Sequence, residues 1–562
     1  MNKKLCLTLA IGTAVLLSSC GKKLGQFNSD YFSVNPNPLE VVGEKVPATV
    51  TGNIPAKFFV KNASVTVTPY LVYDGQETAS QAYTFQGEKV QGNAPVVSYE
   101  YGGTVTIPVS YNYVPAMAKS ELMLDFVVKQ GSKTYALPRV KVANGVIATA
   151  ALANAAGVNP ALAPDAFQRV INDKYAADIL FLINKANIRA EQLKTDAMVE
   201  LQKEIKATYG DSTRVLKEIN IKSYASPDGT LEFNTALAQD RENTTKGYIK
   251  DQLKKDKIKE FGELTAQFTP EDWEGLQKLV SQSNIQDKDL ILNVLSMYKD
   301  PEQREQELRN LINVFDVLAD QILPKLRYSR ITASIDVIGK SDSEINAAFD
   351  SNPRSLTNDE LLYAATLTDD NGRRQAIYEA ATQIYPNDYR GWNDLGMIQY
   401  ISGNYNGAKN SFAKSAQLAG GAAEPQMNLG LIELLNGNYA NANKYFGSAA
   451  GQNGLGDALG VYYLKQGDNA AAARAFADSK SNNAALAQIL TKDYSKAKST
   501  LAGINKPDAL TYYLTAVLGA RTNNESMLLS NLRQAIKLDN SLAAQAAKDL
   551  EFANFNLSSI LN

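Results

Sequence analysis

The feature that most constrains this chain is a period of 34 residues in its last third. Trp392-Asn-Asp-Leu-Gly-Met-Ile-Gln-Tyr400 continues to Gly403-Asn-Tyr405, Ala408 and Phe412, and thirty-four residues on stand Leu429-Gly430, Gly437-Asn-Tyr439, Ala442 and Phe446. A unit of this length is a pair of helices that cannot bury its own apolar face, so copies must stack and share a continuous core. Small residues let the two backbones approach, and Tyr and Phe fill the space opposite. The unit recurs with drift as Leu459-Gly460, Gly467, Ala472 and Phe476, then as Lys492-Asp-Tyr494, Ala497 and Leu501. Ala509 to Leu538 makes a last pair and Leu361 to Ala381, with Pro386, a first. The expectation is an all-α solenoid of five to six repeats over residues 355–552.

These residues resemble the tetratricopeptide (TPR) repeat family. The resemblance implies a concave face that binds a peptide or a partner protein, here one or more membrane or periplasmic proteins. Arg373, Arg374, Arg390, Lys409 and Lys414 are the cations such a groove would carry.

The remaining 350 or so residues of the 562 leave room for two or three further domains. Hydrophobic residues make up 44% and charged residues 21%, a composition that folds into ordinary cores. A net charge of −2 argues against a nucleic-acid partner. Histidine is absent, which removes the commonest general base and most zinc and haem ligand sets. The only cysteines, Cys6 and Cys20, lie in the first twenty residues, so the mature chain has no disulfide. No carboxylate pair stands out from ordinary surface charge. The chain therefore reads as a binding protein and not an enzyme, with no catalytic residue, metal or cofactor.

Residues 1–20 read MNKKLCLTLAIGTAVLLSSC. Lys3 and Lys4 precede an apolar run of 13 residues, Leu5 to Leu17. A bilayer core of about 30 Å needs roughly 20 residues, so the run fits a signal peptide, residues 1–19. It ends in Leu17-Ser18-Ser19-Cys20, which resembles the bacterial lipobox. That resemblance implies lipidation of Cys20, several acyl chains giving a stable anchor where one binds only marginally. Gly21, Lys22, Lys23 and Leu24 follow, without the acidic cluster similar to the surface-export signal of Bacteroidota lipoproteins. The expected location is the periplasmic face of the outer membrane, held by lipid. Residues 20–38, polar and carrying Asn-Pro-Asn-Pro, read as a tether.

From 39 to 145 the hydrophobic period is two. Ala63 to Tyr73, Thr104 to Tyr113 and Leu122 to Val128 alternate, rich in Thr, Val, Tyr and Ile. This predicts a β-sandwich of roughly seven strands. Pro69 and Pro108 predict edge strands or bulges. The Ala-rich stretch 146–165 reads as a linker.

Residues 166–345 read as α/β. Tyr175 to Ile183 is a strand, Ala190 to Ala207 a helix, Glu218 to Ala225 a strand, Ser226-Pro-Asp-Gly229 a tight turn, and Glu232 to Leu253 a helix. Residues 327–338 supply a closing strand, and 255–325 read as a helical insertion in which Trp273 is a core anchor. The second strand, turn and helix resemble the outer-membrane-protein-A-like (OmpA-like) peptidoglycan-binding family, through Asn234, Leu237, Arg241, Tyr248 and Ile249. In that family an aspartate and the helix arginine clamp the diaminopimelate of the peptide stem, an acid for its ammonium and a guanidinium for its carboxylate. Arg241 matches the arginine and Asn234 the helix asparagine. Ser226 stands where the family carries its aspartate, and Asp228, two residues on, is the nearby acid; whether it takes that role stays open. The resemblances together imply a tether that binds peptidoglycan through this domain and a protein through the repeats. The alternative is an accessory subunit of an outer-membrane assembly, secretion or transport machine with little or no peptidoglycan binding.

Overall fold

The computed structural model describes residues 23–419 and 421–561, so Cys20 and the signal peptide lie outside the described residues. The chain is multidomain, sheet-rich at its N-terminal end and built of helical repeats at its C-terminal end. It divides into two compact units. One joins the chain up to Pro164 with the chain from Asp370 on, and the other is Asp165–Asp369.

In the first unit a three-stranded and a six-stranded sheet share one core. Ala63–Tyr73 and Ser120–Gln130 pair antiparallel at the centre of the larger sheet, and their alternation delivers Val65, Val67, Leu71, Leu122, Leu124 and Phe126 inward. Fully burying each such side chain stabilises by about 1.5–3 kcal/mol. Pro108 lies on Gly103–Asn112, an edge strand of the smaller sheet, as expected. Pro69 instead sits in an interior strand. It falls where the neighbour of that strand changes from Gln76–Ala79 to Tyr83–Gly87, so its missing N–H meets a gap in the ladder.

The expected tether 20–38 is corrected over its described part. Leu24 and Phe27 are buried in the sandwich core, Phe27 stacks on Phe126 at 4.4 Å, and Phe32–Asn35 pairs with Lys45–Ile54. The polar residues around them masked two core side chains. The expected linker is corrected as well. Val146–Ile147 pairs parallel with Leu39–Glu40, and residues 154–163 are hydrogen-bonded to the repeats.

The repeats form the helix pairs Tyr389–Ile401 with Tyr405–Leu418, Ala423–Leu435 with Tyr439–Ser448, Leu455–Gln466 with Asn469–Phe476, Asn482–Leu490 with Tyr494–Ala502, and Ala509–Arg521 with Glu525–Leu538. Asn404, Asp468, Asp493 and Asn524 cap the second helices by accepting main-chain N–H groups. Gly396, Gly430 and Gly460 recur where a Cβ would come within 3 Å of Phe412, Phe446 and Phe476, so the ring packs directly on the helix backbone. The expected first pair is divided. Asn358–Thr366 belongs to the second unit, whereas Asn371–Ile384 packs on Tyr389–Ile401.

The second unit carries a four-stranded sheet in the order Val170–Leu180, Tyr328–Ile338, Arg214–Tyr224, Glu263–Thr269. The last two run parallel and the other pairings are antiparallel. Helices Asp196–Ala207 and Leu231–Lys255 cover the sheet and bury Met198, Leu201, Ile205, Ile249 and Leu253 with its strands. The strand Glu263–Thr269 corrects the reading of 255–325 as wholly helical. It is seven residues long, and only Leu264 and Ala266 pack inward, too few to mark a period. The helical insertion therefore lies between this strand and the closing one. Its helices Trp273–Gln282, Lys288–Met297, Pro301–Asn310 and Ile312–Gln321 share their own core of Leu276, Val280, Ile291, Leu295, Leu308 and Leu318, with Trp273 half-buried against it.

Candidate functional site

The residues expected to hold a ligand come together at one end of the second unit. Strand Arg214–Tyr224 ends, the chain turns through Ser226 to Gly229, and Thr230 caps the helix Leu231–Lys255 by accepting from Phe233 N. On that helix Asn234, Ala238, Arg241, Thr245 and Ile249 are all buried, a stripe at three- and four-residue spacing that faces the sheet.

Arg241 lies on this stripe and is 0% exposed. Its Nε donates to Lys185 O at 3.0 Å, Nη1 to Tyr224 O at 2.8 Å and Nη2 to Leu182 O at 3.3 Å. The guanidinium lies 5.2 Å from the Phe181 ring centroid. Burial pushes its pKa down to about 10, the nearby Arg327 cation acts in the same direction and Asp228 opposes both. Arg241 therefore ties the end of one strand to the loop after another. The expectation that it projects toward a ligand is corrected: its three nitrogens all face carbonyls.

Asp228 is engaged by a different arginine. Arg327 Nη2 lies 2.9 Å from its Oδ2, and Arg327 Nε donates to Ser226 Oγ at 3.0 Å. The Ser226 hydroxyl in turn donates to Asp228 Oδ1 at 2.6 Å, which closes a ring of three side chains. Arg309, from the insertion, also donates to the Asp228 carbonyl. Asn234 donates to Gly229 O at 2.9 Å and to Glu271 Oε1 at 3.2 Å, and Trp273 Nε1 donates to Glu271 Oε2. Burial pushes Glu271 above the usual carboxylate range. The structure thus gathers Ser226, Asp228, Asn234 and Arg241 but pairs Asp228 with Arg327. Sequence reasoning missed Arg327 because nothing distinguishes it from Arg330, three residues on.

A second site lies in the first unit, on the face shared by the first helices of the repeats. Asp394, Asn428 and Asn483 each stand eleven residues before the tyrosine that opens the partner helix, Tyr405, Tyr439 and Tyr494, and so occupy equivalent positions. All three are buried, and all three hold the main chain of residues 154–163. Asn428 accepts from Ala161 N at 2.7 Å and donates to Ala161 O at 2.8 Å. Asn483 treats Asn154 alike, accepting at 3.0 Å and donating at 2.8 Å. Asp394 accepts from Ala163 N at 2.9 Å, Asn393 donates to Ala161 O at 2.9 Å, and Tyr400 donates to Ala155 O at 2.8 Å. Burial pushes Asp394 up to about 7, against the opposing pull of Ala163 N–H and Asn393. Arg390 reaches Pro164 O, whereas Lys409 pairs with Glu433 inside the array. The expectation of an open groove is corrected: the chain's own residues fill it.

No family model and no curated protein matches the chain. Parts of it are similar to solved structures. The APC/C hetero-tetramer Cut9–Hcn1 gives 17% identity and a TM-score of 0.31 over 35% of this chain and 42% of that one, so this chain spans less than half of it. A tetratricopeptide repeat protein from Parabacteroides merdae gives 14% identity and a TM-score of 0.30, over 38% of this chain and 91% of that one. PilF of Pseudomonas aeruginosa gives 14% identity and a TM-score of 0.28, over 38% and 99%.

Proposed function

We propose that this chain is an envelope scaffold protein, attached through an acylated Cys20 to the periplasmic face of the outer membrane, that serves as an accessory subunit of an assembly, secretion or transport machine. Its partner is a protein rather than the cell wall. The observation that carries this reading is the inward-turned Arg241, fully buried with its nitrogens on three carbonyls, while Asp228 pairs with Arg327. A wall clamp needs a guanidinium and a carboxylate that meet the ligand. Here freeing them would strand three carbonyls and a half-buried ion pair, at a cost of about 1–3 kcal/mol for each buried group left unsatisfied.

Two measurements on the full chain test the reading. In sedimentation with purified diaminopimelate-containing peptidoglycan, the protein is expected to stay in the supernatant. In purification from membranes under mild detergent, it is expected to bring down envelope proteins in fixed stoichiometry. Saturable pelleting with the wall, lost in Asp228→Asn, would restore the tether.

A further inference from the structure

We propose that the first-helix face of the repeats is a peptide-binding site that reads main chain, that its ligand class is an extended segment of small residues and proline, and that residues 153–164 of this same chain are its resident ligand. The inference does not depend on the scaffold reading.

An asparagine side chain carries an acceptor and donors side by side, and so matches the N–H and C=O of one residue whatever its side chain is. Asn428 on Ala161 and Asn483 on Asn154 are both such two-point pairs. Two of them, in register along one face, make a site for backbone. The equivalent position in the repeat between them, eleven residues before Asn469, is Ala458, and there the ligand is left unheld by an amide. The ligand makes a short turn at Ala155–Gly157 before it reaches Val158.

Side-chain room sets the rest of the specificity. Ala153, Ala155, Val158, Ala161 and Ala163 are buried, so a larger residue at these places has nowhere to go. Pro160 is buried and brings no N–H that would need a partner. The segment belongs to the same chain as the array, so its seating is an intramolecular step. A free peptide competes poorly against that, so the site is closed to others while the segment is seated.

The test uses the full chain and a synthetic peptide of residues 152–165. The peptide is expected not to bind the wild-type chain, and to bind with a Kd of roughly 100 μM or tighter a variant carrying Ala155→Glu, Ala161→Glu and Ala163→Glu, whose own segment no longer fits the buried places. Equal binding to both chains, or none to a folded variant, would overturn the proposal. Should the variant fail to fold, hydrogen exchange decides. In Asn428→Ala/Asn483→Ala, amides of 153–163 are expected to exchange at least about tenfold faster than in the wild type, with sandwich amides unchanged. Unchanged exchange across 153–163 would overturn it equally.

Discussion

Asn428 holds both main-chain groups of Ala161, its oxygen 2.7 Å from the amide nitrogen and its nitrogen 2.8 Å from the carbonyl oxygen, across 267 residues of sequence. Asn428 →Ala leaves the buried Ala161 N–H without a partner and weakens the hold on its carbonyl, which Asn393 still contacts. The expected loss is about 1–3 kcal/mol, read from chemical denaturation of the full chain. Ser at the same position should recover little, because its hydroxyl cannot span both groups.

Arg241 makes the corresponding prediction in the second unit. Arg241→Ala strands the carbonyls of Leu182, Lys185 and Tyr224 and opens a space beside Phe181. The expected cost is about 3 kcal/mol or more, and Arg241→Lys should recover only part of it, since a compact ammonium lacks the planar fork. Thermal melting of the second unit's transition checks the order wild type, then Lys, then Ala.

Gly396 tests the repeat packing. A Cβ there would come 2.6 Å from the Phe412 ring, and the ring is buried with no room to yield. Gly396→Ala is expected to destabilise by about 1–3 kcal/mol through overpacking. Gly447, in the helix Tyr439–Ser448, has nothing within 4 Å of its Cβ position. Gly447→Ala should be neutral or stabilising by up to about 1 kcal/mol, from helix propensity alone. A pair of denaturation curves distinguishes the two.

Asp394 gives a pH dependence with a definite sign. Burial raises its folded pKa from 3.8 to about 7, so the folded chain holds a proton that the unfolded chain has lost. Stability then rises as pH falls from 8 through 7 and continues to rise until the unfolded pKa near 4. Burial raises other carboxyls too, among them Asp549 and Asp272, so the readout is the difference between chains. Asp394→Asn should flatten the slope between pH 8 and pH 5 relative to the wild type.

The parts of this architecture that repeat were legible in the sequence, and the parts that happen once were not. The 34-residue period located the helix pairs, and two-residue alternation located Ala63–Tyr73 and Ser120–Gln130. The strap 153–164 has no period: it is apolar only through alanine and proline, which read as a linker unless the asparagines facing it are known. Arg241 was found, but its orientation was not. The stripe of Asn234, Ala238, Arg241 and Thr245 is mostly polar, and the partners that let Arg241 be buried, the carbonyls of Leu182 and Lys185, come from more than 50 residues away. Arg327 meets Asp228 across 99 residues, a pairing that no local pattern announces. Leu24 and Phe27 are two isolated apolar residues, too few to distinguish a strand approach from a tether.

Calorimetric titration of a diaminopimelate-containing muropeptide into the full chain tests most directly whether the charges of the second unit are satisfied from within. No saturable heat is expected for the wild type, and none for Asp228→Asn. A saturable heat in the wild type that disappears in Asp228→Asn would contradict it, because the acid would then be meeting a ligand that Arg327 leaves free to approach.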